Sequence, residues 1–91
     1  MEILQCNLPI QTLCVTSTMG DINPLWFRYE DDAHSIIKVT ISQILACKEI
    51  KTAGSKSLVY TCEATLDDRL AIVELQYLIS SHKWILKRKV A

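Results

Sequence analysis

Apolar side chains recur at every second position through most of this chain, and only extended strands sort such a pattern into two faces. The pattern is cleanest over residues 25–30. Leu25, Phe27 and Tyr29 fall on one face, and Trp26, Arg28 and Glu30 on the other. Pro24 has no N–H to give to a ladder, so it suits a strand's first residue, an edge or a bulge. Over 35–41, Ile37, Val39 and Ile41 alternate with Ile36, Lys38 and Thr40. Strands are also predicted over 10–17, 57–65, 70–79 and 83–90, while residues 1–8 are expected to be irregular. In the last three strands the inward sets are Leu58, Tyr60, Cys62 and Ala64, then Ala71, Val73, Leu75 and Tyr77, then Trp84, Leu86 and Val90.

The connections carry turn chemistry. Met19-Gly20-Asp21 between two strand-like runs is a hairpin signal. Glu30-Asp31-Asp32-Ala33 reads as a turn, with Asp32 the expected left-handed residue. Residues 52–56 read as a loop, and 66–69 and 80–82 as turns. The stretch 42–51 admits two readings. Thr40 and Gln43 could form a capping box, with Ile41, Ile44 and Leu45 on one helical turn. Lys48 breaks that stripe, so a long bent strand is preferred to a short helical turn.

Six strands joined by short turns predict an antiparallel meander. One open sheet would leave an apolar face uncovered; curling buries it and removes edges. The expected architecture is all-β, a small, partly open barrel of about six strands, forming one domain over residues 1–91. The expected core is Leu25, Phe27, Tyr29, Ile37, Val39, Tyr60, Val73, Leu75, Trp84 and Leu86. A chain of 91 residues buries only about 60–65 % of its unfolded surface, and a 49 % hydrophobic content can supply the dense core this requires.

Composition excludes several functions. Ten Lys and Arg balance ten Asp and Glu, so no global basic field draws in nucleic acid or an anionic membrane. No apolar run approaches the length of a transmembrane helix, and residues 1–5 lack the features of a signal peptide; the expected location is the cytoplasm. Two glycines cannot make a dinucleotide fingerprint or a phosphate-cradling loop. Cys6, Cys14, Cys47 and Cys62 have no zinc-ribbon spacing and are expected to be reduced. Cys62 with His34 or His82 is the only arrangement resembling a nucleophile and base. The alternation puts Cys62 in the core, where a thiol is inert. The acidic turns lack the spaced carboxylates and glycine of a calcium loop. No catalytic, cofactor or metal site is therefore expected.

Two surface features remain. Lys83, Lys87, Arg88 and Lys89 crowd the last strand around Trp84, a mixture that can hold single-stranded nucleic acid. The plainer explanation is a lysine-blunted edge. Trp26 shares its face with Arg28, and a Trp beside an Arg is a common interaction anchor. Leu70, Ile72 and Leu78 add apolar surface to the second face of their strand. The leading expectation is a non-enzymatic binding or protein-interaction module, self-associating as a homodimer or binding another protein. The alternative is a nucleic-acid-binding regulatory barrel that uses the basic C-terminal strand.

Short ordered elements also carry a resemblance. They are a Leu-Pro-Ile strand at 8–10, Pro24-Leu25-Trp26-Phe27-Arg28-Tyr29 before an acidic turn, Ile37-Lys38-Val39, Ala53-Gly54, Tyr60-Thr61-Cys62 and Lys83-Trp84-Ile85-Leu86. Over residues 8–88 the chain resembles a family of small, uncharacterised bacterial proteins of Gram-positive anaerobes. The resemblance implies an all-β domain and assigns no activity, ligand or functional residue. Where that family carries a glycine after the carboxylates of the acidic turn, this chain has Ala33.

Overall fold

The computed structural model of the chain describes residues 4–66 and 68–90, with side chains from Asn7 onward. The described residues form six strands and no helix: β1 (Leu4–Thr16), β2 (Ile22–Glu30), β3 (Ile36–Thr52), β4 (Ser55–Leu66), β5 (Arg69–Leu78) and β6 (Lys83–Lys89). Each strand pairs antiparallel with the next, and β6 returns to pair with β1, so the barrel is closed. The partly open form expected from the sequence is thus corrected by this last pairing. The irregular stretch expected over 1–8 is corrected for residues 4–8 alone, which belong to β1, although the register slips between Gln5 and Leu8. Leu4 and Gln5 pair with Lys89 and Arg88, so β1 begins well before residue 8, and residues 1–3 lie outside the described residues.

The interior is filled as the alternation requires. Phe27, Val39, Tyr60, Cys62, Val73, Leu75, Trp84 and Leu86 are buried, and Tyr29 and Ile37 pack half-buried against them. Trp84 is wedged between Tyr60 and Tyr77, with ring centroids 5.4 and 4.9 Å away in tilted arrangements that aromatic quadrupoles favour. Leu25 is the exception: it is 42 % exposed. Leu13 pairs with Trp26 and Cys14 with Pro24, so Leu25 is the extra residue of a β-bulge. The bulge turns Pro24 inward, where it is fully buried, and Leu25 outward beside Trp26. Val59 runs the other way. It lies on the outer face between its cross-strand neighbours Lys48 and Gln76 yet is buried.

Residues 42–51 are strand, and two bulges explain why they read partly as helix. Ser42 and Leu45 are each skipped in the register with β4. The inward residues therefore run Val39, Ile41, Ile44, Cys47, and a bulge turns a spacing of two into a spacing of three.

The turns are tighter than expected. Thr52 pairs with Ser55, leaving Ala53 and Gly54 as a two-residue hairpin turn with φ of 51° and 85°. The 52–56 loop of the sequence reading therefore shrinks to two residues. In the acidic turn Asp31 Oδ1 accepts the N–H groups of Ala33 and Ser35, both at 2.9 Å. His34, not Asp32, takes the left-handed conformation, with φ of 62°, because it is the residue that leads back into the Asp31–Ser35 backbone bond. The turn closes with Ala33 in place and without a glycine.

Candidate functional site

Long strands meet shorter ones around this barrel, and the mismatch creates grooves. The β1–β6 ladder ends at Ile10 and Trp84 because β6 begins at Lys83, while β1 continues to Thr16. Past that point β1 has a ladder, among the described residues, with β2 alone. A groove of about 520 Å³ opens there. β1 contributes Gln11 and Leu13 to it, β2 contributes Trp26 and Arg28, and Lys83 with His82 closes the far side.

The register orders these side chains into rows. Gln11 lies opposite Arg28, and Arg28 Nε donates to Gln11 Oε1 at 2.5 Å, which holds the guanidinium along the groove. Leu13 lies opposite Trp26 and is 47 % exposed, so an aliphatic and an indole surface lie side by side. Trp26 is half-buried on the outer face, as the alternation predicts. Lys38 Nζ stands 4.6 Å from its ring centroid, a cation–π contact that fixes the indole without covering it fully. Among the described residues no Asp or Glu lines the groove, whereas Arg28, Lys83 and His82 do. His82 Nδ1 shares a hydrogen bond of 2.9 Å with the Tyr77 hydroxyl. Thr12 Oγ1, buried in the groove wall, has no partner among the described residues.

The structure brings three of the six candidate surface residues together: Trp26, Arg28 and Lys83. The other three lie toward the opposite end of β6, and a bulge divides them. Leu86 pairs with Leu75 and Arg88 with Glu74, so Lys87 is the skipped residue. Lys89 pairs with Val73 and takes the inward phase, whereas Arg88 points outward. Arg88 is already committed. Its Nε and Nη2 donate to the two carboxylate oxygens of Glu74 at 2.7 and 3.1 Å. That bidentate bond, opposed by burial and aided by the charges of Arg88, Lys87 and Lys48, holds the Glu74 carboxyl below its ordinary range. The basic strand is therefore not one cationic face.

The remaining titratable groups are dispersed. Cys62 is fully buried, and desolvation, with a smaller effect from Cys47, pushes its thiol up to about 12. His34 is bonded to Glu30 at 2.6 Å in an exposed turn, and His82 to Tyr77, so neither histidine is bonded to Cys62. Cys14, Cys47 and Cys62 are free thiols. Among the described residues no group of three or more His, Cys, Asp or Glu side chains is placed to hold a metal ion. Among the described residues no helix is long and apolar enough to cross a membrane. Sequence reasoning missed Gln11, Leu13 and His82 in the groove lining and Lys38 against its indole. They come from three places, β1, the β5–β6 turn and β3, and only the strand register brings them together.

No family model, curated protein or solved structure matches the chain.

Proposed function

We propose that this chain is a non-enzymatic binding module that holds an extended, acidic segment of a partner protein along the outer groove of β1. One observation carries the reading: β1 outruns β6, and beside its unpaired length lie Trp26 and Leu13, flanked by Arg28, Lys83 and His82 with no carboxylate among the described residues. An extended segment can add to a strand edge through main-chain bonds while neighbouring pockets select its side chains. Trp and Arg are the residue types that most often dominate such contacts. The absence of acidic residues from the lining favours a carboxylate-bearing segment over a basic one.

Single-stranded nucleic acid is the second reading, because an indole among cations also suits a stacked base between phosphates. The pairing of Arg88 with Glu74 and the division of Lys87 from Lys89 weaken it.

Panning the purified protein against a random peptide display library tests both readings. Enrichment of acidic sequences with an apolar residue is expected, with binding lost in Trp26→Ala and in Arg28→Glu. Fluorescence titration with mixed single-stranded DNA and RNA over a salt series forms the other arm. Oligonucleotide binding that weakens steeply with salt, alongside a library that yields nothing beyond the Trp26→Ala background, would replace the peptide reading with the nucleic-acid one.

A further inference from the structure

A second unpaired length lies on β3, remote from the groove. The β2–β3 ladder stops at Trp26 and Thr40, although β3 continues to Thr52. Carrying that register onward would set Ile22 against Ile44. The bulges at Leu25, Ser42 and Leu45 break that register, and no β2–β3 pairing continues past Trp26 and Thr40. The β1–β2 turn does reach the level of Cys47, for Gly20, Asp21, Ile44 and Cys47 wall one cavity. From Lys48 to Thr52 β3 has no ladder partner on that side among the described residues. On the other side β4 pairs with it continuously, Lys48 with Val59 through Thr52 with Ser55. Lys48, Glu49, Lys51 and Thr52 are exposed, and Ile50 is half-buried.

An exposed strand edge is a template for another strand, and proteins usually blunt it with lysine. Here Glu49 stands between Lys48 and Lys51 and inverts the effect. When a strand pairs antiparallel with its own copy about a two-fold axis, each face meets the same face. Directly opposed residues are then separated by an even number of positions. Centring on Lys48 or Glu49 opposes like charges. Centring on Ile50 sets Ile50 against the partner's Ile50, Glu49 against the partner's Lys51, and Lys48 against the partner's Thr52. Two opposite-charge pairs then flank an Ile–Ile contact, the arrangement that stabilises cross-strand neighbours.

The single chain also has a charge conflict that this arrangement relieves. Lys51 lies directly opposite Lys56 in the β3–β4 ladder, a destabilising juxtaposition. Glu49 reaches Lys56 at 3.5 Å only on the diagonal. A partner's Glu49 arriving beside Lys51 would neutralise it.

We infer that residues 48–52 of β3 are a self-pairing edge, joining two copies of this chain through their β3–β4 hairpins into a continuous four-stranded sheet. The contact spans five residues of each copy, so the dimer is a weak one, forming at high micromolar concentrations. Its surface is separate from the β1 groove.

Sedimentation equilibrium over a concentration series up to about 1 mM tests the inference, with the urea midpoint of each variant as a check on folding. The wild type is expected to dimerise. Glu49→Lys or Lys51→Glu alone opposes like charges twice per dimer and should weaken association by about tenfold or more. The combined Glu49→Lys/Lys51→Glu chain restores opposite charges in the reverse sense and should recover the dimer. Trp26→Ala should leave it intact, which keeps failure here distinct from failure of the groove reading. A wild type that stays monomeric throughout, single variants that dimerise as the wild type does, or a double variant that fails to recover would each overturn the inference.

Discussion

The Tyr60 hydroxyl donates a 2.6 Å hydrogen bond to the carbonyl of Ile22, from β4 across to β2. It spans the seam where the bulged half of β3 has left the β2 ladder. Ile22 still pairs with Thr16 of β1, but the β3 ladder has ended on its other side, and a side chain from two strands away satisfies its carbonyl. Tyr60 thus does by one bond what β3 does elsewhere by a ladder.

Tyr60→Phe removes this donor and leaves the carbonyl unpaired in a partly buried place. A loss of about 1–3 kcal/mol is expected, the usual cost of an orphaned buried polar group. The alkaline limb should change as well. Burial, the largest influence, together with nearby Cys47, Cys14 and Cys62, raises the Tyr60 pKa, and burial raises that of Cys62 to about 12. Groups whose folded-state values are raised stabilise the fold fully below their ordinary values, and that stability is lost as pH climbs through the folded ones. The wild-type urea midpoint should therefore fall as pH rises above about 9, and fall less steeply in Tyr60→Phe. A wild type as resistant at pH 11 as at pH 8 would contradict the burial of both groups.

The β2 bulge separates two residues that the sequence places together. Phe27 is buried and Leu25 is 42 % exposed. Phe27→Ala should cost about 3–5 kcal/mol, the range for a buried aromatic. Leu25→Ala should cost less than about 1 kcal/mol, as for most surface positions. Equal losses in paired urea melts would mean that Leu25 reaches the core and that the bulge is misplaced.

The core was legible wherever β-strand alternation ran unbroken. Val73, Leu75 and Tyr77 follow it without interruption, and β5 pairs with β4 with no slip over ten residue pairs. Reading failed at Leu25, at Ser42 and Leu45, and at Lys87, each a bulge residue. A bulge depends on how a strand must curve to close against its neighbour, and that is set by the partner, not by local residue preference. The groove was half legible for a related reason. Trp26 and Arg28 share a strand face and could be paired by parity alone. Gln11 and Lys83 join them only through the β1–β2 and β1–β6 registers.

The β3–β4 turn offers a gain in stability. Ala53 sits at φ of 51°, a left-handed conformation that crowds the Cβ of an L-residue. Asparagine tolerates it, and Asn-Gly is the preferred pair for such a turn. Ala53→Asn should stabilise by about 0.5–1 kcal/mol, visible as a rise in Tm of about 2–8 °C. An unchanged or lowered Tm would mean that the turn is relaxed in solution.

The last prediction concerns Glu74, which is 9 % exposed on the outer face and gripped at both oxygens by Arg88. A carboxylate so placed gives up its proton more readily in the folded chain than in the unfolded one. Its contribution to stability is therefore complete above the ordinary value of 4.5 and is lost as pH falls through the lower folded-state value. The wild-type urea midpoint should decline from about pH 5 downward. Glu74→Gln keeps the size and removes the titration, so its midpoint should start lower at pH 7 and decline less. Arg88→Leu should destabilise more than Glu74→Gln at pH 7, because it strands a buried carboxylate with no donor, and it should recover part of that loss as Glu74 is protonated. The three urea series between pH 7 and pH 3 must therefore converge. Parallel declines in all three would show that Glu74 carries no share of the acid sensitivity.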